Sequence, residues 1–359
     1  MEKAVIEKAA ARFGKGDIRI SLLGSGLIHQ TYRVDYSGSQ DIVLQCMNIK
    51  AFPLPENIVL NYRRIYDHIM AKCPDCPMPA LVPDREGKFC WWEEGITDEE
   101  ERCWRALQFI PDSYSPDAAA NAAEAGIAAR SFARLTSLLE GLSLDSLHIT
   151  IPHFHDLDSR YFQFETAIHN GEMFRLLRAT HVIASLRERT RYVDWFRSIR
   201  DNEQDYPLRV MHHDCKFSNI LFSKKDGQPI FPVDLDTIMP GKFFSDLGDM
   251  IRSMACSRDE NSKDWEHIDI IPSYYHAIVN GYLDGLGAQL TAAETRQLHI
   301  SGILVCYMQS LRYVTDYLNN DIYYKTNYPE QNLNRALNQL VLLERLEAFL
   351  EREALMPVL

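Results

Sequence analysis

The sequence predicts an α+β protein with two lobes, a small antiparallel β-rich lobe over residues 1–110 and a large mainly helical lobe over residues 111–359. Alternating apolar and polar residues dominate the first hundred positions, whereas Ala-rich and Leu-rich helical patterns dominate after Pro116. The length of 359 residues also suits two units, since a domain has roughly 150 residues.

The first lobe begins with a short helical segment and continues mainly as strands. Apolar and polar residues alternate on both sides of a glycine-containing loop at Gly24–Gly26, which predicts two strands joined by a hairpin. After Pro55, apolar side chains recur at helical spacing over residues 56–71. The pattern therefore predicts a five-stranded antiparallel sheet crossed by one helix. The predicted strands are Ile18–Leu22, Tyr32–Tyr36, Ile42–Met47, Lys88–Trp92 and Arg102–Ile110.

The second lobe has helical periodicity with one exception. Thr291 and Glu294 have the spacing of a capping box at the start of one of its helices. Residues 208–235 are the exception, because they have the pattern of short strands separated by polar loops. A connector at Phe109–Pro111 joins the two lobes. The predicted helical segments are 117–140, 158–200, 264–285, 292–318 and 330–353.

The composition is that of an ordinary globular protein with an excess of negative charge. The 50 acidic and 38 basic side chains give a formal charge of −12. This charge disfavours binding to nucleic acid or to an anionic membrane, since both depend on Lys and Arg neutralising phosphates. The longest apolar run, Gly302–Met308, is too short to span a bilayer, and the first residues lack a signal-peptide pattern. We therefore expect a cytoplasmic protein with no nucleic-acid or membrane partner, whose oligomeric state is left open, a monomer included.

Eight cysteines, most of them in apolar segments, indicate reduced thiols rather than a disulfide framework. Cys73 and Cys76 have the spacing of half a zinc site, but no second such pair and no His-x-x-x-His follows them. A metal or redox role for this pair is therefore disfavoured.

Polar residues at two strand ends form the constellation with the clearest chemistry. Asp214 and Asn219 precede one apolar strand, and Asp234 follows the next one. A hairpin between Ile220 and Val233 would bring Asn219 and Asp234 to the same open end, beside Asp214. Their oxygens are hard ligands that suit Mg²⁺, which normally shares its remaining sites with water and nucleotide phosphates. The pattern therefore indicates phosphoryl transfer.

The spacing His-x-Asp-x-Lys-x-x-Asn at His212–Asn219 resembles the catalytic loop of protein-kinase-like enzymes. Val-Asp-Leu-Asp at Val233–Asp236, in place of Asp-Phe-Gly, resembles the aminoglycoside phosphotransferase and choline kinase branch of that superfamily. Four longer segments resemble the N-acetylhexosamine 1-kinase family within that branch, and the resemblance runs from about Leu22 to about Leu340. These segments are Leu208–Asp214, Asp234–Gly241, Asp246–Arg252 and Leu311–Tyr324.

The resemblance implies a bilobal protein-kinase-like fold that uses ATP and Mg²⁺. The small lobe over residues 1–110 would bind the nucleotide, and the large lobe over residues 111–359 would carry the catalytic loop and the sugar site. The implied partners are therefore a nucleotide and a small-molecule sugar substrate.

Each residue of the loop has a chemical role in such a reaction. Asp214 is the candidate base that accepts or orients the proton of the attacking hydroxyl, and Lys216 supplies charge for the migrating phosphoryl group. Asn219 and Asp234 are the predicted Mg²⁺ ligands, with Asp236 as a candidate ligand of a second ion. The alternative is that these residues only cap strand ends and turns, as Asp and Asn often do. Matched spacing at four positions makes that the weaker interpretation.

The nucleotide is expected between the glycine loop, whose N–H groups would lie over its phosphates, and the connector. The glycines have two alternative interpretations, a plain β-hairpin turn and the start of a dinucleotide-binding fold. The dinucleotide fold needs a third glycine where His29 stands and a helix where a strand follows. The predicted nucleotide-binding residues are Gly24, Ser25, Gly26, Leu27, Gln45, Gln108 and Ile110.

Gln45 departs from the protein-kinase pattern, which has a phosphate-binding Lys in this strand. The following helix also has no Glu to pair with such a Lys, beyond Glu56 at its start. The resemblance implies that Gln45 is a family trait, with Lys50 or Lys216 as the compensating charge. A catalytically silent pseudokinase is the alternative that this departure leaves open.

Asp246 and Asp249 lie on either side of Leu-Gly and are predicted to brace the catalytic loop through its backbone. Arg252 would pair with one of them. A structural role is favoured for all three residues, because buried charges persist mainly when they are paired.

Arg312 and Tyr323 lie in a stretch rich in polar and aromatic residues, where the resemblance places sugar contacts. Together with His29, Thr237 and Asp214 they form the predicted substrate site, since polar groups and aromatic faces suit a sugar. The simpler alternative for Arg312 is a surface ion pair with the acidic residue four positions later.

The predicted activity is the ATP- and Mg²⁺-dependent phosphorylation of the anomeric hydroxyl of an N-acetylhexosamine. Two alternatives are weighed against it. One is a kinase of another small hydroxylated substrate, an aminoglycoside or an amino alcohol. The other is a catalytically silent nucleotide or sugar sensor.

Overall fold

The computed structural model describes residues 2–24, 28–93 and 101–357. An antiparallel sheet lobe precedes a mainly helical lobe, which confirms the predicted fold class, while a boundary at residue 110 stays a prediction. The sheet lobe contains helices α1 (Lys3–Phe13) and α2 (Pro55–Lys72) and strands β1 (Ile18–Leu22), β2 (Gln30–Tyr36), β3 (Ile42–Met47), β4 (Leu81–Val82), β5 (Trp91–Glu93) and β6 (Arg102–Gln108).

The sheet has six strands in the part of the chain that is described, rather than the five predicted. Its order is β1-β2-β3-β6-β4, with β5 also paired to β6, and every pair is antiparallel. The sixth strand is β4, whose two residues are too few to show an alternating pattern. In addition, β5 begins at Trp91 rather than Lys88, and β6 ends at Gln108 rather than Ile110.

The two faces of the sheet bury different partners, because successive side chains of a strand point to opposite faces. Leu44 packs in a cluster with α1. Leu107, on the opposite face, packs in a cluster that includes Tyr62 of α2. Gln45 and Arg105 are opposite each other in the β3–β6 register and share the face of Leu107. Two polar side chains therefore lie on the face that is turned toward α2.

The helical lobe is built around a central buried helix, α10, which contacts α4, α5, α7 and α11. The predicted segment 158–200 contains three helices and the segment 292–318 contains two, and the capping box of Thr291 and Glu294 is confirmed. The helices are α3 (Ala122–Leu138), α4 (Leu157–Asn170), α5 (Met173–Arg187), α6 (Arg191–Arg200), α7 (Phe244–Met254), α8 (Pro272–Leu286), α9 (Ala292–Arg296), α10 (Ile300–Leu318) and α11 (Gln331–Arg352).

Helix α7 was not predicted, although its apolar residues Leu247, Ile251 and Met254 recur at helical spacing. Nearly the whole helix is buried. Its burial is explained by its partners, which include the catalytic loop described below. In the three described ranges, no helix combines the length and the apolar character that crossing a bilayer requires.

Residues 209–241 of the helical lobe form short strands that are separated by polar loops, as predicted. The predicted hairpin is confirmed, because β9 pairs with β10 in antiparallel fashion and the Val233 N–H donates to the Asn219 carbonyl at 2.8 Å. Asn219 and Asp234 therefore lie at the same end of this hairpin. The strands are β7 (Ser113–Tyr114), β8 (Arg209–Met211), β9 (Ile220–Ser223), β10 (Pro229–Pro232) and β11 (Met239–Gly241).

The crossing of α3 and α8 gives a test of this packing. A Cβ atom added to Gly281 would overlap with the backbone carbonyl of Gly126, whereas a Cβ at Gly287 would meet only Leu283 side-chain atoms, the nearer at 3.7 Å. We expect Gly281→Ala to cost about 1–3 kcal/mol of unfolding free energy. At about 2–4 °C per kcal/mol, calorimetry should show a clear fall in Tm. Gly287→Ala is the control, and equal melting of the two variants would contradict the close crossing.

Candidate active site

The catalytic-loop backbone is held by carboxylates of α7. The His212 N–H donates to Asp246 Oδ2 at 3.0 Å, and the His213 N–H donates to Asp246 Oδ1 at 2.8 Å. The Cys215 N–H donates to Asp249 Oδ2 at 2.7 Å. The predicted bracing role of these two aspartates is therefore confirmed.

Asp249 is held in turn by Arg252, which donates to Asp249 Oδ1 from Nε at 3.0 Å and from Nη2 at 2.8 Å. Arg252 also donates to Glu260 at 2.9 Å. This confirms the predicted ion pair of Arg252, and it shows how the buried carboxylate that anchors the loop is compensated.

His213 adopts a positive φ of 67° and is fixed through both ring nitrogens. Its Nε2 faces the Met239 carbonyl at 3.2 Å, so Nε2 carries the proton and Nδ1 accepts from the Ser245 hydroxyl at 2.6 Å. Burial lowers the pKa of His213, which keeps the ring neutral. The residue before Asp214 therefore has one defined tautomer and orientation.

Asp214, Lys216 and Asn219 come together as predicted. Lys216 Nζ lies 2.8 Å from Asp214 Oδ1, and Asn219 Nδ2 donates to Asp214 Oδ2 at 3.1 Å and to the Asp214 carbonyl at 2.9 Å. Burial alone would raise the pKa of Asp214, but the Lys216 ammonium overrides it and holds the pKa below its ordinary value. Asp214 is therefore a carboxylate able to accept a hydrogen bond from a hydroxyl group.

Asp234 is a carboxylate without a protein partner among the described residues. It has a left-handed backbone at φ 61° and an exposed side chain, with no ion pair or hydrogen bond to that side chain from any described residue. The protein around it still desolvates the carboxylate, which raises its pKa, and the charges of Asp236 and Asp214 raise it further. A bound cation would relieve this repulsion.

Asn219 is oriented so that an oxygen is left for the same cation. Its Nδ2 is committed to Asp214, and its Oδ1 accepts no hydrogen bond within the ranges given above. One carboxylate and one carboxamide oxygen suit Mg²⁺, which takes most of its ligands from water and phosphates. In keeping with an open site of this kind, the described residues hold no group of three His, Cys, Asp or Glu side chains arranged around a metal position.

Asp236 lies in a buried network that joins the two lobes. His29 Nδ1 accepts from the Asn48 N–H at 2.9 Å, so Nε2 carries the proton and donates to Asp236 Oδ2 at 2.7 Å. Arg105 Nη2 lies 2.8 Å from Oδ2 and 2.7 Å from Oδ1 of the same carboxylate. Burial would raise the pKa of Asp236, but Arg105 and His29 lower it to about 2.

The network bears on two predictions. A substrate role for the His29 ring requires one of these bonds to be exchanged. Asp236 Oδ1 forms no hydrogen bond with any described residue, although Arg105 Nη2 lies 2.7 Å from it. Thr237 is also engaged within the protein, because its hydroxyl donates to the His212 carbonyl at 2.7 Å. All three side chains are buried, and their predicted site roles stay predictions.

The predicted nucleotide residues are only partly covered by the structure. Gly24 has a positive φ of 72° with open space around it, and Ser25, Gly26 and Leu27 lie outside the described residues. Gln108 ends β6, and Ile110 follows in the connector, where its carbonyl accepts from the Ser113 hydroxyl at 2.6 Å.

Gln45 is held by its neighbours rather than left free. Its Nε2 donates to the Thr31 hydroxyl at 3.2 Å, and its Oε1 accepts from Arg105 Nε at 2.8 Å. Glu56 accepts from the Trp92 indole instead of pairing with β3. Lys50 is exposed. The cation that contacts Gln45 is Arg105.

Arg312 lies among aromatic rings, 4.8 Å from the centroid of Phe154, 5.5 Å from that of Tyr324 and 6.0 Å from that of Tyr323. The alternative surface pair is wrong, because the Asp316 carboxylate accepts the N–H groups of Tyr323 at 2.8 Å and Tyr324 at 2.9 Å. Asp316 therefore orders the turn that presents Tyr323.

One ring connects this cluster to the catalytic loop. Phe154 packs edge-on against His213, with ring centroids 6.1 Å apart. The Arg312 guanidinium lies over the same Phe154 ring. Phe154 thus links Arg312 to the residue that precedes Asp214.

A cavity of about 320 Å³ opens beside Lys216. Its charged lining is balanced between carboxylates and cations, and it does not include Arg312 or Tyr323. The charged lining residues are Asp117, Asp259, Glu260, Lys216, Arg252 and Arg258.

Sequence reasoning missed Arg105 and Phe154. Arg105 is the one charged residue in the apolar run Cys103–Leu107, and this was a usable signal that its charge has a specific partner. No local pattern marks Phe154, because its role depends on the packing of a loop against α10.

A model of the phosphotransferase enzyme family matches residues 19–292 of this chain. Among solved structures, the chain is similar to a microcompartment-associated aminopropanol kinase, with a TM-score of 0.65 at 16% identity over 99% of both chains. It is also similar to an aminoglycoside phosphotransferase from Alicyclobacillus acidocaldarius, with a TM-score of 0.63 at 12% identity over 97% of this chain and 96% of that one.

A third similar structure is an amicoumacin kinase bound to AMP-PNP and Ca²⁺, with a TM-score of 0.61 at 12% identity over 96% of this chain and 94% of that one. These likenesses confirm the predicted kinase-like fold. Since the family match extends from the first strand of the sheet to the ninth helix, the chain belongs to the phosphotransferase enzyme family.

Proposed function

We propose that this protein is an ATP- and Mg²⁺-dependent kinase that phosphorylates the anomeric hydroxyl of an N-acetylhexosamine to the sugar 1-phosphate. The observation that carries phosphoryl transfer is the contact of Asp214 with Lys216 and Asn219, at the hairpin end that also presents the unpartnered Asp234. The sugar assignment is supported by the resemblance over Leu311–Tyr324 and by the surroundings of Arg312.

Asp214 is proposed to align the attacking hydroxyl by accepting its hydrogen bond. A loose phosphoryl-transfer transition state needs alignment more than strong deprotonation, so a carboxylate of low pKa is adequate. Lys216 Nζ lies 2.8 Å from the same carboxylate, so its charge lies close to the proposed position of the attacking hydroxyl. There it could stabilise the negative charge that the oxygens of the transferred phosphoryl group gain.

Asn219 Oδ1 and the Asp234 carboxylate would hold Mg²⁺. When bound, this ion neutralises phosphate charge and orients the transferred group. The glycine loop at Gly24–Leu27 and the connector residues Gln108 and Ile110 are the proposed nucleotide contacts. A related kinase whose structure contains AMP-PNP and Ca²⁺ supports a nucleotide and a divalent cation in this fold.

The acceptor is proposed to bind between Asp214 and the aromatic cluster of Arg312. Aromatic faces pack on sugar C–H groups, and a guanidinium donates to hydroxyl and N-acetyl oxygens. Tyr323 is exposed and available for such a contact. His29 and Thr237 are proposed to shape the site through Asp236 and the catalytic loop, since their polar atoms are already engaged.

Kinases of cationic acceptors are the alternative, because similar structures include an aminopropanol kinase and an aminoglycoside phosphotransferase. One observation favours a neutral acceptor. The charge of Arg312 acts to lower the pKa of Arg160, so two neighbouring cations would repel a cationic acceptor. The silent-sensor alternative is disfavoured because Asp214, Asn219 and Asp234 are all in place.

A panel of acceptors tests the assignment. We expect ATP and Mg²⁺ to phosphorylate N-acetylhexosamines at carbon 1, seen by NMR as coupling of the anomeric proton to phosphorus. Sugars blocked at the anomeric oxygen are the control and should be inert. Phosphorylation at carbon 6, or of amino alcohols and aminoglycosides only, would overturn the sugar 1-kinase assignment and leave the kinase fold intact.

Asp214→Asn and Lys216→Ala separate alignment from charge stabilisation. Asp214→Asn should lower kcat by about 10²-fold to 10⁴-fold, the usual contribution of a positioned base, with ATP binding kept. Lys216→Ala should lower kcat with little change in the KM for sugar, because its charge is needed most in the transition state. The exposed Lys224, changed to Ala, is the control for lysine removal.

Steady-state kinetics and calorimetric ATP affinities provide the comparison. If Asp214→Asn loses ATP affinity but keeps its rate at saturation, Asp214 is a nucleotide or metal ligand instead of the base.

A further inference from the structure

The strand β3 lacks the cation that would face nucleotide phosphates, and the neighbouring strand supplies one. Arg105 of β6 is opposite Gln45 of β3 in the sheet register, so the two side chains share one face. Its Nε donates to Gln45 Oε1 at 2.8 Å. The guanidinium is thereby fixed at the position where the strand itself carries only a carboxamide.

The second nitrogen of Arg105 reaches the other lobe. Nη2 lies within 2.8 Å of the Asp236 carboxylate, two residues after Asp234. The guanidinium therefore lies next to the place where Mg²⁺ and phosphates are proposed to meet.

The third nitrogen has no partner. Arg105 is only 1% exposed, yet Nη1 forms no hydrogen bond with any residue that the structure describes. A buried charged donor without a partner is costly, so such an atom calls for a ligand or an ordered water. An arginine fork can hold two protein acceptors and still offer donors to a phosphate oxygen.

The other cations of the site are already engaged. Lys216 is paired with Asp214, and Arg252 is paired with Asp249 and Glu260. We propose that Arg105 is a nucleotide-phosphate ligand, donating from Nη1 to an α- or β-phosphate oxygen in place of the lysine absent from β3. This inference rests on the nucleotide site of the proposed function.

The test must separate phosphate binding from mere neutralisation of Asp236. Removing Arg105 alone would leave a buried carboxylate uncompensated. We therefore compare Asp236→Asn with the double variant Arg105→Gln/Asp236→Asn, which removes both charges. Arg102→Gln, on the same strand, is the matched control for loss of an arginine.

Calorimetry with metal-free ADP and with adenosine gives the phosphate contribution to affinity, without any acceptor. Relative to Asp236→Asn, the double variant should bind ADP about tenfold more weakly and adenosine equally well, as expected for one lost charge-assisted hydrogen bond. Arg102→Gln should match the wild-type protein for both ligands.

Three results would overturn the assignment. They are an unchanged ADP affinity in the double variant, equal weakening of ADP and adenosine, and a wild-type protein that binds ADP no more tightly than adenosine. If the double variant does not fold, a crystal structure of the wild-type protein with ADP decides. An Nη1-to-phosphate distance of about 3 Å supports the proposal, and a water alone on Nη1 overturns it.

These outcomes are independent of the acceptor. A protein that binds ADP through Arg105 but phosphorylates no sugar would refute the sugar 1-kinase assignment alone. A sugar 1-kinase whose ADP affinity is unchanged by the loss of Arg105 would refute this inference alone.

Discussion

The candidate active site depends on two buried carboxylates of α7 that accept backbone N–H groups of the loop at His212–Asn219. Asp246 takes the N–H groups of His212 and His213, and Asp249 takes that of Cys215. Each such donor would cost about 1–3 kcal/mol if left buried without an acceptor. The loop therefore has one stable conformation, and the direction of Asp214 follows from it. The burial of α7 against α10 in turn fixes the carboxylates.

Charge pairing around this loop explains where a ligand is needed. Asp214, Asp249 and Asp236 each have a cationic partner, namely Lys216, Arg252 and Arg105 in that order. Asp234 has none among the described residues, although it lies at the same hairpin end as Asn219. Asp246 has no cationic partner but accepts two backbone N–H groups. Asp234 has neither kind of partner among the described residues, and this is the reason for proposing that a metal ion compensates its charge.

Much of the fold was predictable because its signals are local. Alternation marks β1, β2 and β3, the Thr291–Glu294 spacing marks a helix start, and the polar loops beside β9 and β10 mark the hairpin. The roles of Asp246 and Asp249 were predictable from their spacing. The strand β4 was not predictable, because it is two residues long. Helix α7 was overlooked although its apolar residues have helical spacing. Arg105 was visible as a lone cation in an apolar run, but its partner Asp236 was not predictable, because it is distant in sequence.

The most direct test is the effect of Mg²⁺ on ADP affinity in Asp234→Ala, with Asp226→Ala as the control at an exposed turn. We expect Mg²⁺ to strengthen ADP binding in the wild-type protein and in Asp226→Ala but not in Asp234→Ala. We also expect Asp234→Asn to melt no lower than the wild-type protein, because Asn tolerates the left-handed backbone and the lost charge has no partner among the described residues. An undiminished Mg²⁺ effect in Asp234→Ala would show that Asp234 is not the metal ligand.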